Sequence, residues 1–158
     1  MKALSWKEPY GSMMLHGKIE TRTWKTNVRG PILICCSKKA YTGFQVADIS
    51  GSFQLIKINL KLFGEAAPTT RSKDLWIGNS GLAIAIGILT DCVPMQPDDE
   101  TDTFVRYYPD LWCHVYEDVI ALPKPFHVQG QMGFFNVPDE RFGINLLEWY
   151  KQQLNIRL

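Results

Sequence analysis

The sequence predicts an α+β protein in which a small mixed β-barrel is flanked by helices. Strand-like segments outnumber helical ones, and they do not alternate with helices in the βαβ manner that builds a parallel sheet. Over residues 82–88 large residues alternate with Ala and Gly, which is typical of a curved strand lining a small barrel. A length of 158 residues fits one domain, so we expect a single domain over residues 1–158.

The first elements are a short helix and a charged strand. Residues 8–16 predict the helix, because Pro9 suits its first turn and Gly17 suits the left-handed position after its end. Strand alternation then places four side chains on one face: Lys18, Glu20, Arg22 and Trp24. A carboxylate between two cations is typical of a binding site and equally of a salt-bridged exposed strand, and the spacing leaves both open.

The later elements follow from apolar patterning. Residues 31–36 form an apolar run typical of a strand buried on both faces, and residues 82–92 and 111–122 predict two more strands. We expect Pro123 and Pro125 to end the last of these. Residues 43–63 fit a strand or an amphipathic helix. Residues 144–154 have a helical period through Ile144, Leu147, Leu154 and either Trp149 or Tyr150.

Charge is balanced over the chain but uneven along it. Seventeen Lys and Arg oppose sixteen Asp and Glu, giving a net charge of +1, so attraction to nucleic acid must come from a local patch. The early chain holds a basic group: Lys18, Arg22, Lys25, Arg29, Lys38 and Lys39. The acidic run at residues 98–102 is interpreted as a solvated loop.

Several classes of site and location are not expected. No apolar stretch approaches the roughly 18 residues that cross a bilayer, and no signal-peptide pattern begins the chain, so we expect a cytoplasmic protein without a membrane partner. The four cysteines are predicted to be reduced thiols. No zinc spacing, P-loop, dinucleotide fingerprint or GxSxG elbow is present, so we expect no metal and no cofactor.

Two segments resemble a known family. Residues 3–39, ALSWKEPYGSMMLHGKIETRTWKTNVRGPILICCSKK, resemble the start of ASCH domains, with a Pro-aromatic helix start, a GxKxxExR motif, an Arg-Gly turn and a strand ending in Ser-Lys. Residues 125–138, PFHVQGQMGFFNVP, are similar to the strand that closes the barrel in the same family. Residues 43–81 and 96–109 would then be insertions.

The resemblance implies a fold and a site. ASCH domains have a PUA-like fold, with a cleft between a small mixed β-barrel and the first helix, and they are generally thought to bind RNA or modified nucleosides. The motif's Glu and Arg fall on Glu20 and Arg22, and its Ser-Lys ending falls on Ser37 and Lys38. Here Gly17, Lys18 and Ile19 lead at once to Glu20, which is two residues shorter than GxKxxE.

The sequence is compatible with three functions. The preferred one is binding of RNA or a modified nucleotide or nucleoside in the basic cleft, by Arg22, Trp24, Lys25, Arg29, Ser37, Lys39, Gln131 and Phe134. The first alternative is a metal-independent hydrolase of RNA or of a modified nucleoside such as N4-acetylcytidine, with Lys18, Glu20 and Lys38 as catalytic residues. The second alternative is a structural or protein-interaction module, for which the sequence names no partner.

Overall fold

The structure is a computed structural model that describes residues 1–64, 78–138 and 145–157. In these residues six strands form one sheet in the order β2-β5-β4-β3-β1-β6. The strands are β1 (Lys2–Trp6), β2 (Glu20–Arg22), β3 (Gly30–Cys36), β4 (Leu82–Pro94), β5 (Trp112–His127) and β6 (Phe135–Asn136). Only the β1–β3 pair of this sheet is parallel. The α+β class and the mixed sheet are therefore confirmed.

The sheet curls into a half-barrel whose edges, β2 and β6, are not hydrogen-bonded neighbours. The edges approach each other through side chains instead. The ring of Trp24, just after β2, lies edge-on to that of Phe134, just before β6, with centroids 5.6 Å apart. The segment expected to close the barrel, residues 125–138, gives only Phe135–Asn136 to this edge of the sheet.

The first helix is shorter than predicted. α1 covers Tyr10–Met13 and continues as a 3₁₀ turn over Met14–His16. Gly17 follows at a φ of 80°, the left-handed position predicted for it. This turn sends the chain towards Lys18 and β2.

Residues 43–63 form two helices, α2 (Gly43–Ser50) and α3 (Ser52–Phe63), which settles the alternative left open by their pattern. A capping box between Thr42 and Gln45 begins α2. In α3 the buried residues Leu55 and Ile58 are three positions apart, which is a helical spacing. Part of the segment expected to be an insertion, residues 65–77, lies outside the described residues.

The prediction that Pro123 and Pro125 end a strand is wrong, because β5 runs through both to His127. Ala121 pairs with Ala85, but the next pair in this direction is Phe126 with Ala83, so both prolines lie where the register shifts. A proline cannot donate to the ladder, and a bulge is a position where that donor is not required.

The acidic run is also more ordered than predicted. It forms a 3₁₀ turn, Pro97–Asp99, and the short helix α4 (Glu100–Thr103). Asp99 Oδ2 accepts the Gln96 N–H at 2.7 Å, and Glu100 Oε2 accepts the Tyr107 N–H at 2.6 Å. These carboxylates satisfy local backbone donors.

Apolar side chains pack against both faces of the sheet. On one face Leu4, Ile32 and Ile34 pack with α1 and α3. On the other, Leu33 and Cys35 pack with α5 (Leu146–Arg157), so β3 is buried on both faces as predicted. In α5 the buried positions are Leu146 and Tyr150, which decides between the alternatives Trp149 and Tyr150. Leu147 is only partly buried, and Ile144 lies outside the described residues.

Three of the cysteines, Cys35, Cys36 and Cys113, are buried, Cys92 is partly exposed, and all four thiols are free. Across the described residues, no helix is both long enough and apolar enough to cross a bilayer.

Candidate functional site

A cleft of about 460 Å³ opens beside β2 and α1. Its aromatic wall comes from Trp6, Tyr10, Trp24 and Tyr41. Its charged side chains are Lys7, Lys18, Glu20 and Arg22, and its hydroxyls are those of Ser5, Thr21, Thr23 and Ser37. Residues 131–133 form part of its rim. The volume lies in the range of small-molecule sites, which is about 300–1,000 Å³.

A buried charge triad stands in this cleft. Lys18 Nζ lies 3.1 Å from Glu20 Oε1, and Arg22 Nη2 lies 3.1 Å from Glu20 Oε2. Glu20 also accepts the Thr21 N–H at 2.9 Å. The Lys18 side chain is fully buried and that of Glu20 is 8% exposed. The triad is therefore not the exposed salt-bridged strand that the spacing also allowed.

The triad carries two cations and one anion. Burial by itself would raise the pKa of Glu20, but Lys18, Arg22 and the Thr21 amide together lower it. For Lys18, burial lowers the pKa by more than the Glu20 carboxylate raises it. Since a guanidinium does not lose its proton, Lys18 is the cation of the triad that can become neutral.

Arg22 is held by stacking and by a backbone contact. Its Cζ lies 5.1 Å from the centroid of the Trp6 ring and 6.0 Å from that of Trp24. Its Nη2 donates to the Ser5 carbonyl at 2.8 Å, while its Nε–H is buried with no hydrogen-bond partner among the described residues. The guanidinium therefore joins the charged and the aromatic parts of the cleft.

His114 packs against the site without lining the cleft. The sequence did not identify it as a site residue. It pairs with Glu20 across β2 and β5, and its Nε2 lies 2.9 Å from the Trp24 carbonyl. Its ring is edge-on to the Trp24 ring at 4.9 Å. Burial lowers the pKa of His114, so its ring is neutral at pH 7. The one sequence feature that indicated it is that this polar residue lies between Trp112 and Tyr116 on the same face of a predicted strand.

The structure brings only part of the predicted site together. The cleft is lined by Lys18, Glu20, Arg22, Trp24, Ser37 and Gln131. Three predicted residues, Lys25, Arg29 and Phe134, are not part of that lining. Lys25 stands 5.7 Å over the Trp112 ring, Arg29 donates to the Thr26 and Val28 carbonyls, and Phe134 packs edge-on against Trp24. Lys39 is exposed and also outside the lining.

A second cavity of about 930 Å³ adjoins the cleft. The two share Ser5, Ser37, Gln131 and Met132. Lys38, which the sequence offered as a catalytic residue, lines this second cavity and does not line the cleft. Lys38 is therefore separated from the triad by the residues that the cavities share.

Among residues 1–64, 78–138 and 145–157, no three His, Cys, Asp or Glu side chains are grouped to hold a metal ion. A scan against protein-family models finds no match, and a search of curated proteins finds none either. The resemblance to ASCH domains therefore rests on the sequence motifs quoted above.

Proposed function

We propose that this protein binds RNA or a modified nucleoside, with one unpaired base in the cleft. The observation that carries the proposal is the buried triad of Lys18, Glu20 and Arg22 inside an aromatic-walled cleft of about 460 Å³. The ASCH-like motifs and the curled mixed sheet agree with a PUA-like domain, which we include in the proposal.

The cleft offers the two kinds of contact that a nucleobase requires. The partly exposed rings of Trp24 and Tyr41 provide stacking surfaces, and stacking on an aromatic side chain contributes about 1–3 kcal/mol per base. The side chains of Thr23, Ser37 and Gln131 provide donors and acceptors for the edge of a base. These contacts favour a base that is not already paired.

Electrostatics favour a short or single-stranded ligand. The triad has one cation in excess, whereas the whole chain has a net charge of only +1. Attraction to a polyanion is therefore local to this site, and Lys25, Arg29 and Lys39 do not extend its lining.

The test is thermal unfolding in the presence of nucleosides, modified nucleosides and short single-stranded RNA at low salt. A ligand that binds the folded state raises Tm, and at 100 times Kd it stabilises that state by about 2.7 kcal/mol. We expect Trp24→Leu to weaken binding about tenfold or more, since it removes a stacking surface. The matched control Trp112→Leu changes a tryptophan outside the cleft lining, so it should retain wild-type binding.

No Tm shift with any member of this panel would contradict the proposal. Equal loss of binding in Trp24→Leu and Trp112→Leu would contradict the placement of the base. Changes of stability alone, without ligand shifts in the wild type, would favour the structural or protein-interaction alternative.

Hydrolysis is a second candidate, favoured by one observation. Lys18 has a lowered pKa and lies 3.1 Å from a carboxylate within the cleft, so it could act as a base or nucleophile without a metal. If this candidate is right, we expect the protein to turn over N4-acetylcytidine or single-stranded RNA. Lys18→Met should abolish turnover. The control Lys7→Met, which changes another lysine of the cleft, should retain it. Absence of turnover by the wild type would remove the candidate.

A further inference from the structure

The cleft and the second cavity are neighbours, and together we call them the groove. They meet at Ser5, Ser37, Gln131 and Met132, which line both. The cleft has aromatic walls and contains Glu20. By contrast, no Asp, Glu, Trp, Tyr or Phe is among the described residues that line the second cavity, whereas Lys38 and His127 are. The two halves of the groove therefore suit different chemical groups.

We propose that the groove takes a nucleotide instead of a free nucleoside, with the base in the cleft and a phosphate in the second cavity against Lys38. This inference rests on the proposed function. A lysine ammonium is a compact charge that binds phosphate well, and among the described residues no carboxylate lines the cavity to repel the anion. His127 adds ring nitrogens, and Ser37 adds a hydroxyl at the junction.

Backbone contacts hold Lys38 at this place. Ser37, just before it, donates its N–H to the Trp6 carbonyl at 2.7 Å. Gly81 donates its N–H to the Cys36 carbonyl at 2.9 Å and accepts the Val128 N–H at 3.1 Å. A Cβ at Gly81 would lie 3.7 Å from Lys38 Cγ, so the stem of the lysine passes beside this glycine. The next residue, Lys39, lines neither cavity.

Three of the four residues that line both cavities are polar: Ser5, Ser37 and Gln131. A Cβ at Gly130 would lie 2.5 Å from Ser5 Oγ, so only glycine lets the rim approach this closely. The Ser5 hydroxyl is buried and has no hydrogen-bond partner among the described residues.

The second cavity is also large for a phosphate alone. Its volume of about 930 Å³ is twice that of the cleft, at about 460 Å³. It has room for a sugar-phosphate or for the next nucleotide of a single strand. The ligand class is therefore a phosphorylated nucleotide, either free or within a single-stranded chain.

The experiment compares cytidine, uridine, adenosine and guanosine with their 5′- and 3′-monophosphates by calorimetric titration at two salt concentrations. A hydrogen bond between an ammonium and a phosphate is stronger than one between neutral groups, so we expect at least one monophosphate to bind about tenfold or more tightly than its nucleoside. Lys38→Gln should remove this difference and leave the nucleoside affinity unchanged. Lys39→Gln removes the same charge from the neighbouring exposed residue and should retain it.

Two results would overturn the inference and leave the proposed function standing. One is equal affinity of a bound nucleoside and its monophosphates. The other is equal loss of nucleotide affinity in Lys38→Gln and Lys39→Gln, which would mean that the phosphate senses the charge of this surface and makes no specific contact with Lys38. If neither nucleosides nor nucleotides bind the wild type, the proposed function fails together with the inference.

Discussion

Glu20 is the residue on which the charge arrangement of the cleft depends. It is the one carboxylate within salt-bridge distance of both Lys18 and Arg22 in the described residues, and it lies almost completely out of solvent. Removing one partner from a buried ion pair leaves a charge that neither water nor protein compensates. The free energy lost in this way is larger than the stabilisation that the intact pair provides. Glu20 therefore determines whether Lys18 can remain charged.

We expect Glu20→Gln to lower the free energy of unfolding by about 3–5 kcal/mol at pH 7, because the fully buried Lys18 ammonium loses its counterion. Urea unfolding followed by tryptophan fluorescence measures this loss. The double variant Lys18→Met/Glu20→Gln, which no longer contains the ammonium, should recover part of it. A double variant less stable than Glu20→Gln would show that the pair does not behave as a buried ion pair.

The stability that Glu20 contributes to the wild type depends on pH. The folded-state pKa of Glu20 is lower than its ordinary value, so the unfolded state takes up the proton first on acidification. The stabilisation by Glu20 is therefore complete above the ordinary glutamate pKa and is lost as the pH falls through the folded-state value. The difference in stability between wild type and Glu20→Gln should shrink over that range.

Among the helices and strands, α3 has apolar side chains both in the core and in solvent. Leu55 and Ile58 are almost completely buried. Four other apolar residues of the same helix are exposed: Phe53, Ile56, Leu60 and Phe63. Because both faces of the helix are apolar, residues 43–63 have too little contrast for their pattern alone to distinguish helix from strand.

We expect Leu55→Ala to lower the free energy of unfolding by about 2–5 kcal/mol, since it leaves a cavity in a packed core. Phe53→Gln, two residues earlier and 74% exposed in the wild type, should change it by no more than about 0.5 kcal/mol. Urea unfolding at pH 7 measures both. A large loss in Phe53→Gln would mean that this face of α3 is covered in solution.

At the scale of the whole molecule, the two edges of the sheet are joined by side chains. β2 and β6 stand at opposite ends of the strand order, yet Trp24 and Phe134 place their rings 5.6 Å apart. Arg22, the last residue of β2, also donates a hydrogen bond to the Ser5 carbonyl in β1. The aromatic wall of the cleft is therefore part of what keeps the sheet curled.

A double-mutant cycle tests this contact. The cycle formed by Trp24→Leu and Phe134→Leu should give a coupling free energy of about 0.5–1.5 kcal/mol, as expected for an edge-on aromatic pair. A control cycle pairs Trp24→Leu with Trp149→Leu, which changes a residue packed against the other core. We expect a coupling near zero there. Equal couplings in the two cycles would contradict a direct contact between the edges.

Local spacing was sufficient to predict the centre of the site. Residues two apart in a strand share a face, so the grouping of Glu20 and Arg22 follows from their positions, and the left-handed Gly17 turn brings Lys18 to them. The strand β3, buried on both faces, was predictable because its run of apolar residues is unbroken. Each of these features depends on neighbours within a few residues.

The sequence by itself therefore determined the α+β class, the charge triad and the buried strand β3. Only the tertiary structure decided that Tyr41, Met132 and Gly133 line the same cleft as the triad, that Lys38 lies in a neighbouring cavity, and that Lys25, Arg29 and Lys39 lie outside the cleft lining. It also decided that β5 continues through its prolines. The physical reason is that burial, register shifts and cavities arise from contacts between residues far apart in the chain, which no local periodicity records.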